Sequence, residues 1–156
     1  MNSIKRIISV IVLDEHGVLS RISGLFAGRG YNINSLTVAP IPNTNLSRLT
    51  IVTLGDERII EQITKQLHKL IPIYKVIEEA NFVEKEMVLI KIALNENLAG
   101  LDALLKAYNG SIANSDENHI VLMACDDADR IESFLKTVKK YNPIDIVRSG
   151  SVALDM

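Results

Sequence analysis

One pattern occurs twice in this chain. LDEHGVLSRISGLFAGRGYNI in the first half returns as LNENLAGLDALLKAYNGSI in the second. Both copies run from a leucine through a short acidic-amide turn into an apolar-periodic segment, and close on a glycine and an isoleucine. Each amphipathic helix must bury its stripe against a sheet, so a doubled strand–turn–helix restricts the fold to two similar α+β units.

The rest of the chain supplies the strands. Residues 4–13 (IKRIISVIVL) read as a strand and 18–29 as a helix, with Leu19, Ile22, Leu25 and Phe26 three to four apart. Strands follow at 32–39 and 47–54, joined by the turn PIPNTN. A helix over Glu57–Leu70 carries Ile59, Ile60, Ile63, Leu67 and Leu70 on one face, with Glu61 and Lys65 as an i,i+4 pair. Pro72 stops it, and IYKVIE is a fourth strand. The second half repeats this order: strand MVLIKIAL, helix LAGLDALLKAY, strands SIANS and HIVLMAC around the turn DEN. Then come a helix over Ala128–Lys140 and a last strand, IDIVRSGSVAL. The expectation is two ferredoxin-like βαββαβ domains in tandem, 1–78 and 79–156, with the charged, aperiodic stretch EEANFVEKE at their boundary.

The strands are more apolar than one buried face requires. Ile7, Ile8, Val10, Ile11, Val12 and Leu13 are almost continuous, which predicts cover on both sheet faces, from the other half or from another chain. Self-association is therefore expected. The parity change between Ile33 and Leu36 suggests a bulged or interface-facing edge strand.

Composition excludes several functions. The formal net charge is -2 with both signs scattered, which gives no reason to expect a nucleic-acid or anionic-membrane partner. No apolar run approaches the roughly 20 residues that span a bilayer. The N-terminal apolar run stops at Asp14-Glu15 with no small-residue cleavage site, unlike a signal peptide. A single cysteine, Cys125, excludes an internal disulfide framework, suits a reducing cytoplasm and reads as a small core residue.

No catalytic or metal-binding set emerges. His16, His68 and His119 have no ligand at metal spacing, and HExxH and CxxC are absent. His68 suits a helix C-terminus and His119 a solvated turn edge. Asp14, His16 and Ser20 are too crowded in one turn for a proton relay, and no GxSxG accompanies them. There is no P-loop and no GxGxxG; GRG at 28–30 follows a helix and reads as its C-cap.

The turn before the first helix offers something else. Free amides at Gly17, Val18 and Leu19, with the positive end of the helix dipole, suit a carboxylate. Asp14 could accept from an ammonium group, so the turn would suit a small free amino acid. The same amides also describe an ordinary βα turn in which Gly17 is only an N-cap.

Taken together, RIISVIVLDEHGVLSRISGLFAGRGYNINSLTVAP, LSRLTIVTLGDE and IEQITKQLHKLIPIYKV closely resemble the regulatory small subunits of acetohydroxyacid synthase (acetolactate synthase). VEKEMVLIKI and VRSGSVAL extend the resemblance into the second half. It implies that the first domain is an ACT domain whose edge strands pair in a homodimer, with valine or another branched-chain amino acid at the interface. The implied ligand-binding residues are Asp14, Gly17, Val18 and Leu19 from one subunit, and Asn32 and Ile33 from the other. The family most often has asparagine where this chain has Asp14; an acid can hold the ammonium group but cannot donate to the carboxylate.

The resemblance further implies a cytoplasmic, non-catalytic subunit with no cofactor of its own. Its large catalytic partner would use thiamine diphosphate, Mg2+ and FAD, and would become more active and valine-sensitive on binding it. A stand-alone ACT-domain amino-acid sensor and a small enzyme on a ferredoxin-like scaffold are the alternatives.

Overall fold

A computed structural model describes residues 3–70, 72–78 and 81–156. The elements are β1 (Ile4–Leu13), α1 (Val18–Gly28), β2 (Ser35–Pro40), β3 (Leu46–Gly55), α2 (Glu57–His68) and β4 (Ile73–Ile77). They continue as β5 (Phe82–Ala93), α3 (Leu101–Ala107), β6 (Gly110–Ser115), β7 (His119–Asp126), α4 (Ala128–Val138), a 3-10 turn (Lys139–Tyr141) and β8 (Asp145–Asp155). Two four-stranded sheets result, ordered β2-β3-β1-β4 and β6-β7-β5-β8. This is the tandem βαββαβ architecture expected from the sequence. By contacts the chain divides into two units, residues 1–83 with 151–156, and 84–150. Residues 79 and 80, at the expected boundary, lie outside the described residues.

In the first unit, β1 pairs antiparallel with β3 from Ile4↔Gly55 to Leu13↔Leu46 without a break. Ile8, Val10, Val12, Leu49 and Ile51 point to the helices and form one core with Val18, Ile22, Phe26, Ile63 and Leu67. Each such side chain contributes roughly 1.5–3 kcal/mol on burial. The first helix turns its stripe differently from expectation. Val18, Ile22 and Phe26 are buried, whereas Leu19 is 43% exposed. Positions 18, 22 and 26, four apart, form the inward stripe, and Leu19 lies outside it.

The helix ends are chemically specified. Tyr31 N–H donates to Phe26 O at 2.9 Å and Gly30 N–H to Ala27 O at 3.2 Å. With Gly30 at φ 69 this is a Schellman cap, closed by an edge-to-face contact of the Phe26 and Tyr31 rings at 6.1 Å. The GRG segment is thus a helix stop. Asp56 caps α2 by accepting from Ile59 N–H at 2.8 Å. Glu61 and Lys65 meet at 2.8 Å on its solvent side, and His68 is its last residue.

Strand β2 begins at Ser35 and pairs with β3 in one unbroken register to Pro40↔Ser47. Of the two alternatives, a bulged strand or an edge strand, β2 is an edge strand without a bulge; Ile33 precedes the ladder, which explains the parity change. On the face away from the helices, Ser9, Thr50 and Val52 are buried within this one chain, and Arg48 pairs with Asp155 at 3.3 Å.

The second unit has its own core of Val88, Ile90, Ile92, Leu122, Ile131, Phe134 and Val138. Its strand β5 starts at Phe82, inside the stretch EEANFVEKE that reads as aperiodic in the sequence. The alternation is real, but its inward position is an acid: Glu86 is buried and Arg148 Nε donates to its Oε1 at 2.6 Å. Gly100, at φ 82, delays α3 until Leu101. Cys125 is exposed, against the expectation of a core residue. Ala124 and Asp126 take the inward positions, which turns Cys125 outward opposite Met87. His119 sits at a solvated turn, its Nδ1 3.3 Å from Asp116 Oδ1.

Asp126, the register partner of Glu86, is buried among donors. It accepts from Arg130 Nε at 2.6 Å, Asn109 Nδ2 at 3.2 Å and Asp127 N–H at 2.8 Å. Arg130, which also donates to Ala107 O, holds the Asp126 carboxyl below the usual carboxylate range. A carboxyl with a lowered folded-state pKa stabilises above its unfolded value and loses that contribution as pH falls through the folded one. Urea midpoints from pH 7 to pH 2 should accordingly drop less steeply in Asp126→Asn than in the parent chain, from a lower starting value; identical slopes would exclude the assignment.

Candidate ligand cradle at the first helix

The turn from β1 into α1 is pinned by backbone rather than by side chains. Leu13 N–H donates to Pro72 O at 3.0 Å, Asp14 N–H to Asn45 O at 2.9 Å, and Glu15 N–H to Leu13 O at 2.9 Å. The β2–β3 hairpin and the residue before β4 thus fix the turn from two sides. Gly17 then takes φ 82, ψ -2 as the N-cap, with no side-chain capping bond. A Cβ there would meet nothing within 4 Å. Only its positive φ calls for glycine; the mouth of the turn is open space.

The donors above Gly17 are unused. Arg21 N–H takes the Gly17 carbonyl at 3.0 Å, but the amides of Val18, Leu19 and Ser20 have no acceptor among the described residues. The first turn of α1 also holds no acid, whereas α2 and α4 begin with Glu57 and Asp129 in theirs. The partial positive charge of the α1 N-terminus is therefore not neutralised by its own sequence. Asp14, His16, Gly17, Leu19 and Ser20 are exposed, while the Val18 side chain is in the core and offers only its amide. Asp14, His16 and Ser20 make no mutual hydrogen bond among the described residues, so no relay forms. No group of three or more His, Cys, Asp or Glu among them is placed to hold a metal ion.

The two halves of the expected site lie apart in one chain. Asn32 is exposed, and its carbonyl accepts from Thr53 Oγ1 at 2.6 Å. Ile33 is half-buried against the first core. Ser35 pairs with Val52, itself opposite Ile7, whereas Pro40 pairs with Ser47, opposite Val12. Strands β1 and β2 therefore run parallel with β3 between them. Asn32 and Ile33 precede β2 at the end where β1 begins; Asp14–Leu19 follow β1 at the other end. At roughly 3.3 Å per residue the separation is on the order of 20 Å. The residues that pin the turn, Asn45 and Pro72, carry no signal in the sequence because they act through carbonyls that any residue supplies. A separate cleft beside α2, lined by Arg6, Glu57, Ile60, Glu61 and Glu78, takes no part in this turn.

The strain at Gly17 can be measured. Gly17→Ala should lower stability by about 1–2 kcal/mol in urea unfolding, the cost of a left-handed backbone under a Cβ. Gly24→Ala, inside α1 with open space around it, should be neutral or stabilising. Equal effects at both positions would mean that the turn is not held as described.

Known proteins match this chain along nearly its full length. Residues 8–75 match the family described as AHAS small subunit-like ACT domain, and residues 85–156 that described as small subunit of acetolactate synthase. The acetolactate synthase isozyme 3 small subunit of Salmonella typhimurium is 40% identical, covering 96% of this chain and 94% of that protein. The acetolactate synthase small subunit of Buchnera aphidicola subsp. Schizaphis graminum is 39% identical, covering 96% and 98%. The crystal structure of the acetolactate synthase small subunit from Thermotoga maritima superposes with a TM-score of 0.88 at 32% identity, over 98% of each chain. With two family matches spanning both units and relatives at this identity, the chain belongs to the acetolactate synthase small subunits, and its first half is an ACT domain.

Proposed function

We propose that this chain is the regulatory, non-catalytic subunit of acetolactate synthase and that it senses valine, or another branched-chain amino acid, at a site made by two copies of itself. Residues 1–78 form the amino-acid-binding and dimerising domain, and 79–156 the C-terminal domain. The large catalytic subunit, which carries thiamine diphosphate, Mg2+ and FAD, is activated by it in the cytoplasm and becomes valine-sensitive through it.

The observation that carries this reading is the pair of half-sites at opposite ends of β2. An open cradle of unused amides at Gly17, Val18 and Leu19 suits a carboxylate, and Asp14 beside it suits an ammonium group. β2 is an edge strand. A two-fold axis beside its midpoint would run the partner's β2 antiparallel and carry the partner's start of β2 to the Gly17 end. Asn32 and Ile33 of one copy would then close the cradle of the other. Such a site answers the thermodynamic requirement of feedback: valine must favour one arrangement of the subunits over another, since equal affinity for both would shift nothing.

Reconstitution with the catalytic subunit tests the reading. Gly17→Asp places a carboxylate where the ligand's belongs and should raise the valine needed for half-inhibition at least about tenfold, while activation is retained. Gly17→Asn, which also tolerates positive φ but is neutral, should shift it less. Unchanged inhibition in Gly17→Asp would refute the cradle. Asn32→Ala should weaken inhibition through the partner. Dimers mixing a Gly17→Asp chain with an Asn32→Ala chain should retain one intact site of two, and dimers with none would refute the shared site.

A further inference from the structure

The segment that leads into β2 is tied to β3 by two bonds, one of them from a side chain. Asn34 N–H donates to Val52 O at 2.8 Å, and Thr53 Oγ1 donates to Asn32 O at 2.6 Å. The β2–β3 ladder reaches only to Ser35↔Val52, so Thr53 stands one residue past it and its hydroxyl extends the attachment. Leu49, Ile51 and Thr53 alternate onto one face of β3. The first two lie in the core beneath the helices, and Thr53 is fully buried beside them. Packing alone would be served there by valine, which has the same branched shape. The hydroxyl is committed to one carbonyl, that of Asn32.

That bond fixes a peptide plane. No peptide bond among the described residues is cis, so the Asn32 carbonyl and the Ile33 N–H point in opposite directions. With the carbonyl turned in to Thr53, the Ile33 N–H faces away from β3, and it has no acceptor among the described residues. Asn32 is exposed, while the Ile33 side chain packs against the first core. Ile33 anchors the segment, Thr53 sets its rotation, and an unused donor is left facing outward from the edge of the sheet.

We propose that Thr53 is a positioning residue for the amino-acid site. It reaches no ligand itself; it holds Asn32 and the free amide of Ile33 in the orientation in which they meet the cradle of the partner copy. This role rests on the shared-site reading above and adds a core residue of β3 that acts on the partner's cradle and not on its own. Nothing in the run LSRLTIVTL distinguishes Thr53 from the other strand threonines, because its bond is to a backbone carbonyl 21 residues earlier.

Reconstitution with the catalytic subunit, with valine as the probe and Gly17→Asp as the reference, tests the role. Thr53→Val keeps the shape and removes the hydroxyl, and should raise the valine needed for half-inhibition about fivefold, the worth of one hydrogen bond. Thr53→Ser keeps the donor and should stay near the parent value. Mixed dimers then read the direction of action. A Thr53→Val chain paired with a Gly17→Asp chain leaves one site built wholly from unaltered parts, and calorimetry should find one binding event per dimer at parent affinity. With both changes on one chain and a parent partner, each site holds one altered part and no event at parent affinity should remain. An unshifted Thr53→Val, an equal shift in Thr53→Ser, loss of the parent-affinity event from the first mixture or its survival in the second would each overturn the role of Thr53. Gly17→Asp without effect on inhibition would instead overturn the shared site, and the role of Thr53 with it.

Discussion

Ten residues of β1 pair with ten of β3 in one unbroken antiparallel ladder, and this ladder decides where every loop of the first unit lies. With β2 on the far side of β3, β2 must run parallel to β1. The turn after β1 and the segment before β2 are thereby sent to opposite ends of the sheet. A slip of one residue would turn Ile8, Val10 and Val12 out of the core, so the hydrophobic effect holds the register and the register holds the half-sites apart. The second copy that the proposed site requires is thus a consequence of sheet topology.

Helix termini divide the remaining work. α2 spends an aspartate side chain on its own N-terminal amides and ends in Lys65 and His68, the arrangement that stabilises a helix for its own sake. α1 begins with an uncapped left-handed glycine and no acid. The missing cap leaves orphan donors that a neighbouring acid or caps worth about 1 kcal/mol elsewhere would have satisfied. In the second unit the same backbone recurs at Gly100, where the Tyr141 hydroxyl donates to Ala99 O at 2.8 Å.

Much of this was legible in the residues. The doubled strand–helix order, the helix stop at GRG and the free amides beside Gly17 follow from periodicity and from the properties of glycine. What stayed hidden depended on groups that leave no mark in composition. Glu86 sits inward because Arg148, 62 residues away, pairs with it, so an acidic strand start read as linker. Cys125 faces outward because its neighbour Asp126 found Arg130 and Asn109 inside. Leu19 left the core stripe because Val18, Ile22 and Phe26 take the face that packs inward. The turn before Gly17 is pinned by the carbonyls of Asn45 and Pro72, which any sequence would provide. The residues Asn32 and Ile33 came from the family resemblance, and the strand register puts them at the opposite end of the sheet from Gly17, which is why the proposed site draws on two copies.

A site shared between copies ties ligand binding to assembly. On the proposed reading, affinity for valine depends on the fraction of chains that are paired, because a single chain offers amides and Asp14 at the cradle while its own segment before β2 lies at the other end of the sheet. The most direct test is equilibrium dialysis of valine across chain concentrations that span the monomer–dimer transition, with sedimentation on the same samples. Bound valine per chain should rise in step with the dimer fraction, and added valine should shift the transition to lower chain concentration. Bound valine independent of the dimer fraction would contradict a site completed by a second copy.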